Sequence, residues 1–195
     1  MEVCILAGGL STRMGRDKAR LKLGGRTLIA AVRAVAVGLG SRVRVIRRDL
    51  VARCGPLGGV FTALKTAHSP AVLFLACDAP FVSPVFLRRL VRLSTWGTRA
   101  AFVIHDARVG FPFILPIGEL STVEAMIARR EFSLQQLADA VAAKRLRASP
   151  RDAAALFNVN TPEDWARAQA WWRTQRATGS SGSSASRWTN RVTRC

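Results

Sequence analysis

"AVLFLACDAPFVSPVFLRRLVRL", Ala71 to Leu93, holds the alternation on which the fold turns. It begins with an apolar run that ends in Asp78 and is bounded by Pro70 before and Pro80 after. That is the pattern of a strand buried on both faces rather than one. Ser83-Pro84 then places a hydroxyl at an N-cap and a proline at the first helical position, and it opens a helix to about Leu93. A strand needing cover on both faces, followed at once by a helix, is the repeating unit of a parallel sheet with helices on each side. Asp78 emerges at the carboxyl end of that strand, where such sheets bind their ligands.

The same alternation runs outward in both directions. Val3 to Leu6 reads as a buried strand, Leu28 to Gly40 as a helix ending on glycine, Val43 to Ile46 as a strand, and Gly59 to His68 as a helix. Beyond the central unit, strands are expected near Ala100 to Ile104, Phe113 to Leu115 and Ala155 to Val159. Thr161-Pro162-Glu163-Asp164 is a second N-cap signature, and its helix through about Arg173 closes the domain. The expected fold is α/β, a doubly wound, mostly parallel sheet in one domain over residues 1–176. From Ala177 onward "ATGSSGSSASRWTNRVTRC" carries no acid and no apolar periodicity, so a disordered tail is expected over residues 177–195.

Composition bounds the partners. A chain of 195 residues with 49% apolar content and a mean hydropathy of +0.16 can bury one sizeable core. The net charge of +18 comes from 30 basic residues, 26 of them arginine, against 12 acids, and it suits phosphates, nucleotides or other polyanions. The arginines are spread along the whole chain, so a compositional bias accounts for much of that charge as well. No aromatic RNA-binding motif or zinc finger is present, which argues against nucleic acid. Cys4, Cys54, Cys77 and Cys195 include no C-x-x-C pair, which argues against a zinc site or a disulfide framework and for a reduced, cytoplasmic protein. No secretory signal pattern precedes the first strand, and no apolar run approaches the roughly 18 to 20 residues of a membrane span.

The first strand leads into "LAGGLSTRMGRDK", Leu6 to Lys18. Gly8 and Gly9 let the backbone turn sharply and expose N–H groups to a phosphate or base edge, and Arg13 and Lys18 supply positive charge. Gly15 is followed by Arg16-Asp17-Lys18, so the spacing is not G-x-x-x-x-G-K-[ST], and no G-x-G-x-x-G is present. Solvated surface charges are the alternative reading of Arg13 and Lys18, and a cap for the helix that follows is the alternative reading of Asp78.

The ordered set L-A-G-G-x-S-x-R-M-G-x-D-K resembles the nucleotidyltransferases that move a nucleoside monophosphate from an NTP onto a phosphorylated acceptor. Within that group it most resembles the molybdenum cofactor guanylyltransferases. "GPLGG" at Gly55 to Gly59, "CDAPF" at Cys77 to Phe81 and "FNVNTPED" at Phe157 to Asp164 extend the resemblance in the family's order. It implies a Rossmann-like nucleotidyltransferase fold, GTP as donor, molybdenum-molybdopterin as acceptor and Mg²⁺ as cofactor. Contacts with cofactor-delivery proteins and molybdoenzyme chaperones are implied as well. The glycine pair at Gly8-Gly9 is the guanine-associated form; the cytidylyl relatives tend to carry A-A-G there.

The resemblance also assigns roles. Asp78 would hold Mg²⁺ and contact the nucleotide, Lys18 would bind its phosphates, and Arg13 would neutralise departing pyrophosphate. Leu6, Ala7, Gly8 and Gly9 would cradle guanine and ribose through the backbone. Asp49, six positions before Gly55, falls on the nucleoside side, although Arg47 and Arg48 offer it an ion pair instead. Asn158 and Asn160 fall on the acceptor side, Asn160 serving equally as a turn residue before Thr161. "VIHDARVGFP" resembles the family's H-D-G-x-x-x-H-P region near the pterin, with Ala107 for the glycine and Phe111 for the second histidine. His105 and Asp106 are therefore acceptor-side candidates for which a structural role is equally open. Between the first helix and "GPLGG" the chain is short: Val43 to Ile46 runs almost directly into Asp49, and a family asparagine that contacts the nucleoside has no counterpart. A sheet one strand narrower on that side is expected. Use of CTP, transfer to a sugar phosphate, and nucleotide binding without turnover are the alternative functions.

Overall fold

The computed structural model describes residues 1–8 and 21–179. The chain runs β1 (Glu2–Leu6), β2 (Lys22–Leu23), β3 (Arg26–Thr27), α1 (Leu28–Val37), β4 (Val43–Ile46), α2 (Gly55–Lys65), β5 (Ala71–Ala76) and α3 (Pro84–Leu93). It continues with β6 (Ala101–His105), β7 (Arg108–Pro116), α4 (Leu120–Ala128), α5 (Leu134–Ala140), β8 (Lys144–Arg147) and α6 (Pro162–Gly179). Short 3-10 segments occupy Ile117–Glu119 and Pro150–Leu156. Among the described residues no helix is long and apolar enough to cross a membrane.

Six strands form one sheet in the order β4-β1-β5-β7-β6-β8, and β2 pairs with β3 in a separate hairpin. Side chains alternate between the faces of a strand, and β1 and β5 use both. Val3 and Ile5 with Leu73 and Leu75 pack against Val32 of α1 and Phe86, Leu87 and Leu90 of α3. Cys4 with Val72 and Phe74 packs on the opposite side against Leu57 and Val60 of α2, Val123 and Met126 of α4, and Leu137 of α5. This is the doubly wound arrangement, with Glu2–Ile5 of β1 and Ala71–Leu75 of β5 buried to within 2% of complete.

The sheet is parallel except for β7, which runs antiparallel to both β5 and β6. Only Asp106 and Ala107 join β6 to β7, and a connection that short can make only an antiparallel pair. Both residues have positive φ, 48° and 60°, as a tight type I′ hairpin demands. Phe113 of β7 then stacks on Phe74 at 4.7 Å and on Phe102 at 4.5 Å, tying the reversed strand into the core.

Several boundaries differ from the sequence reading. The helix expected from Gly59 begins at Gly55, with Pro56 fixing its first turn, so "GPLGG" is helix rather than loop. The strand expected over Ala155 to Val159 does not form. The Ser149 amide and hydroxyl both donate to the Asp152 carboxylate, at 2.8 and 2.7 Å, and fold Pro150–Leu156 into a 3-10 helix. α6 continues past Arg173 to Gly179, so the stretch expected to be disordered from Ala177 starts helical. The sequence reading assigns nothing to residues 117–154, where α4, α5 and β8 form.

β4 is the outermost strand beside β1. Its amino end is held by a buried charge pair. Glu2 is fully buried; one carboxylate oxygen accepts from Arg44 Nη2 at 2.5 Å and the other from the His68 amide at 3.4 Å. Arg44 also donates to the Ala63 carbonyl at 2.8 Å and to Thr66 Oγ1 at 2.7 Å, where the carboxyl end of α2 favours a cation.

Candidate nucleotide and acceptor site

The candidate residues gather at the carboxyl ends of β4, β1 and β5. The Ala7 amide donates to the Ile46 carbonyl at 2.8 Å, and the Cys77 amide to the Leu6 carbonyl at 3.2 Å, so the chain leaves β1 between its two neighbours. At Gly8 a β-carbon would touch the Arg47 carbonyl oxygen at 3.4 Å and Asp49 Oδ1 at 3.5 Å. The strand-end backbone and Asp49 are therefore in van der Waals range of each other. Gly9, Arg13 and Lys18 lie outside the described residues.

Asp49 sits between that loop and the first turn of α2. A β-carbon on Gly58 would lie 2.8 Å from Asp49 Oδ2, and one on Gly59 would lie 3.0 Å from Leu6 Cδ1. The glycines of "GPLGG" thus let a helix start pack directly on the aspartate and on the end of β1. Burial pushes the Asp49 carboxyl above its ordinary value. Among the described residues it makes no ion pair, so neither Arg47 nor Arg48 neutralises it.

Asp78 lies two residues beyond the end of β5, in a turn closed by the Ala79 amide donating to the Ala76 carbonyl at 3.5 Å. α3 is capped by Ser83, whose Oγ accepts from the Phe86 amide at 3.1 Å, so Asp78 is not needed as its cap. The Val159 amide donates to the Asp78 carbonyl at 2.9 Å. That bond and the packing of Phe157 against Phe81, 6.3 Å between ring centroids, set "FNVN" beside "CDAPF". Val159 is fully buried, in a cluster with Leu23, Leu28 and Ala168, while Asn158 is exposed and Asn160 half-buried on either side of it. The Asp164 carboxylate accepts from the Asn160 and Thr161 amides at 3.0 and 3.1 Å, so the Asn160 backbone also belongs to the α6 cap.

A cavity of about 490 Å³ opens beside Asn158, lined by His105, Asp106, Arg108, Phe111 and Leu156 among others. It brings His105, Asp106 and Asn158, acceptor-side candidates of two distant motifs, to one lining, which Asn160 does not join. His105 Nδ1 is 3.5 Å from Asp106 Oδ2, and Phe111 packs against Phe113 at 5.0 Å between centroids. Phe111 therefore gives the cavity an apolar wall. Arg108 is the residue that sequence reasoning missed: it follows the hairpin turn directly and brings a permanent cation to the cavity.

Among the described residues no three His, Cys, Asp or Glu side chains converge as a metal site. A single carboxylate at a strand end nevertheless fits magnesium, which takes one or two protein carboxylates and completes its shell with phosphate oxygens and water.

The family model for the MobA-like NTP transferase domain matches residues 3–153. A probable molybdenum cofactor guanylyltransferase of Opitutus terrae is 34% identical over 182 residues, which covers 82% of this chain and 90% of that protein. A molybdenum cofactor guanylyltransferase of Pseudomonas putida is 34% identical over 186 residues, covering 83% and 93%. The crystal structure of molybdopterin-guanine dinucleotide biosynthesis protein A from Archaeoglobus fulgidus shares the fold with a TM-score of 0.71 at 22% identity, over 89% of this chain and 100% of that one. The Thermus thermophilus 2-C-methyl-D-erythritol 4-phosphate cytidylyltransferase shares it with a TM-score of 0.64 at 18% identity, over 89% of this chain and 100% of that one. A mostly parallel doubly wound sheet, a family domain matched over most of its length and relatives at 34% identity make this chain a nucleotidyltransferase of the MobA-like family.

Proposed function

We propose that the chain transfers GMP from GTP to the terminal phosphate of molybdenum-molybdopterin, forming the guanine dinucleotide cofactor and pyrophosphate. The observation that carries this reading is the Val159 to Asp78 backbone hydrogen bond, which joins the segment carrying Asn158, a residue of the cavity wall, to the turn carrying Asp78. A donor-side and an acceptor-side candidate thereby lie on adjoining segments. The naming of the relatives from Opitutus terrae and Pseudomonas putida supports the same reading.

In this mechanism Leu6, Ala7, Gly8 and Gly9 receive guanine and ribose along bare backbone, and Asp49 closes the nucleoside side. Lys18 holds the phosphates. Asp78 would hold Mg²⁺, which when bound neutralises charge on the phosphates undergoing transfer. His105, Arg108, Asn158 and Asn160 orient the acceptor. Its phosphate, with a second pKa of about 6, is largely ionised at neutral pH, so no protein base is needed. An acceptor oxygen attacks the α-phosphorus in line, the bond from that phosphorus to the β-phosphate bridge breaks, and Arg13 meets the charge on the departing pyrophosphate.

GTP binding measured calorimetrically with Mg²⁺, alongside CTP and the Asp78→Ala variant, tests the donor side. GTP is expected to bind selectively, and Asp78→Ala to lower turnover by about 100-fold or more. Equal affinity for CTP, or no GTP binding by the wild type, would overturn the guanylyl assignment.

A further inference from the structure

We infer that Thr62 is a positioning residue for the nucleoside side of the site, acting through Asp49; this rests on the reading of Asp49 as a nucleoside contact. β4 has no outer neighbour among the described residues, so the chain after Ile46 leaves the sheet without a ladder partner on that side. Among the described residues one hydrogen bond ties residues 47–51 back to the body: the Leu50 amide donates to Thr62 Oγ1 at 2.8 Å. Thr62 is 6% exposed, on α2 one turn beyond Gly58, and its hydroxyl donates to the Gly58 carbonyl at 2.8 Å.

A hydroxyl has one proton. Committed to Gly58, it turns a lone pair toward Leu50, and each bond fixes the geometry of the other. The same oxygen thus links two walls: the segment following β4, which carries Asp49, and the first turn of α2, where Gly58 comes so near that a β-carbon would lie 2.8 Å from Asp49 Oδ2. A helical threonine that only bonded back to its own turn would reach one wall. This one reaches both, so removing the hydroxyl leaves the Leu50 amide without its acceptor and lets the Asp49 carboxylate drift from the ligand position.

The test uses the full chain and compares Thr62→Val, Thr62→Ala, Thr62→Ser, Asp49→Ala and the Thr62→Val/Asp49→Ala double variant, with thermal melting to verify folding. GTP affinity with Mg²⁺ and the steady-state KM and kcat are read. Thr62→Val is expected to raise the GTP KM about fivefold to tenfold with kcat within about twofold of wild type, Thr62→Ser to restore it, and Thr62→Val to add nothing once Asp49 is gone. Thr62→Ala carries the same expectation should the valine variant not fold. Wild-type GTP affinity in a folded Thr62→Val or Thr62→Ala, with Asp49→Ala weakened, would overturn the positioning role alone. Additive effects in the double variant would overturn it too. Wild-type affinity in Asp49→Ala would overturn the nucleoside reading of Asp49, and the inference with it.

Discussion

At the amino end of β1 the Glu2 carboxylate is fully buried and met by the Arg44 guanidinium at 2.5 Å; at the carboxyl end of β4 the Asp49 carboxylate lies against Gly8 and Gly58 with, among the described residues, no cation on it. The two carboxylates flank the same pair of strands and the same helix. At the amino end the charge is matched within the fold, and it holds an edge strand in place. At the carboxyl end the desolvation is only partial, and no cation of the described residues balances the charge. The amino end is correspondingly inert: burial, countered by Arg44 and reinforced by Glu2, pushes the Cys4 thiol up to about 12. A carboxylate that no described cation meets, at the carboxyl ends of the strands, suits the proposed nucleoside site.

The strongest break of this contrast is Arg44→Met. It strands Glu2 as a buried charge without its partner and should lower stability by about 3–5 kcal/mol in urea unfolding. Glu2→Leu combined with Arg44→Met should recover most of that loss, because an apolar pair of similar size avoids the desolvation. GTP affinity of the folded fraction should be unchanged in both. A single Arg44→Met that unfolds like wild type would mean the pair contributes no net stability at the amino end.

A smaller effect separates matched from unmatched carboxylates by pH. Burial disfavours the charge on Asp152, but hydrogen bonds from the Ser149 amide and hydroxyl and from Arg89 outweigh it and hold the carboxyl below its ordinary value of 3.8. A depressed folded pKa adds stability that is fully present above 3.8 and is lost as pH falls through the folded value. Asp152→Asn should therefore destabilise by about 1 kcal/mol at neutral pH, with the difference from wild type shrinking in strong acid. A gap that stays constant across acid pH would assign the effect to packing rather than to charge.

The difference between the two ends also marks what the sequence discloses. β5 and α3 are legible because burial on two faces demands an unbroken apolar run and because Ser83-Pro84 is a cap by local chemistry; the helix spans Pro84–Leu93 as expected. The reversal of β7 is not legible, since it depends on Ala107 taking a positive φ that alanine seldom signals. β8, "KRLR", turns only Leu146 toward the core and exposes three cations along the sheet edge, so its pattern carries little apolar periodicity. At the site, Asp78 is announced by the strand it ends. Its neighbourhood with Asn158 is not, because a backbone amide at Val159 makes the link. Arg108 was missed because a turn length, not a residue pattern, delivers it to the cavity.

The finest test of the contrast is Asp49→Asn. Burial raises the Asp49 pKa, so the folded state holds this proton more tightly than the unfolded chain does. The sign is opposite to that of Asp152: the ionised carboxylate weakens the fold above its folded pKa, and the penalty fades as pH falls toward the ordinary value of 3.8. Asparagine keeps the shape and removes the charge. Because the residue is largely exposed, screening limits the gain, and Tm at neutral pH should rise by only about 1 °C, with the gain vanishing in acid. GTP affinity should fall in the same variant, since the proposed nucleoside contact loses its charge. A carboxylate whose removal stabilises the protein and weakens its ligand is held for the ligand. If Asp49→Asn instead lowered Tm along with affinity, Asp49 would belong with Glu2 among the charges the fold itself needs, and the two ends of the sheet would not differ in kind.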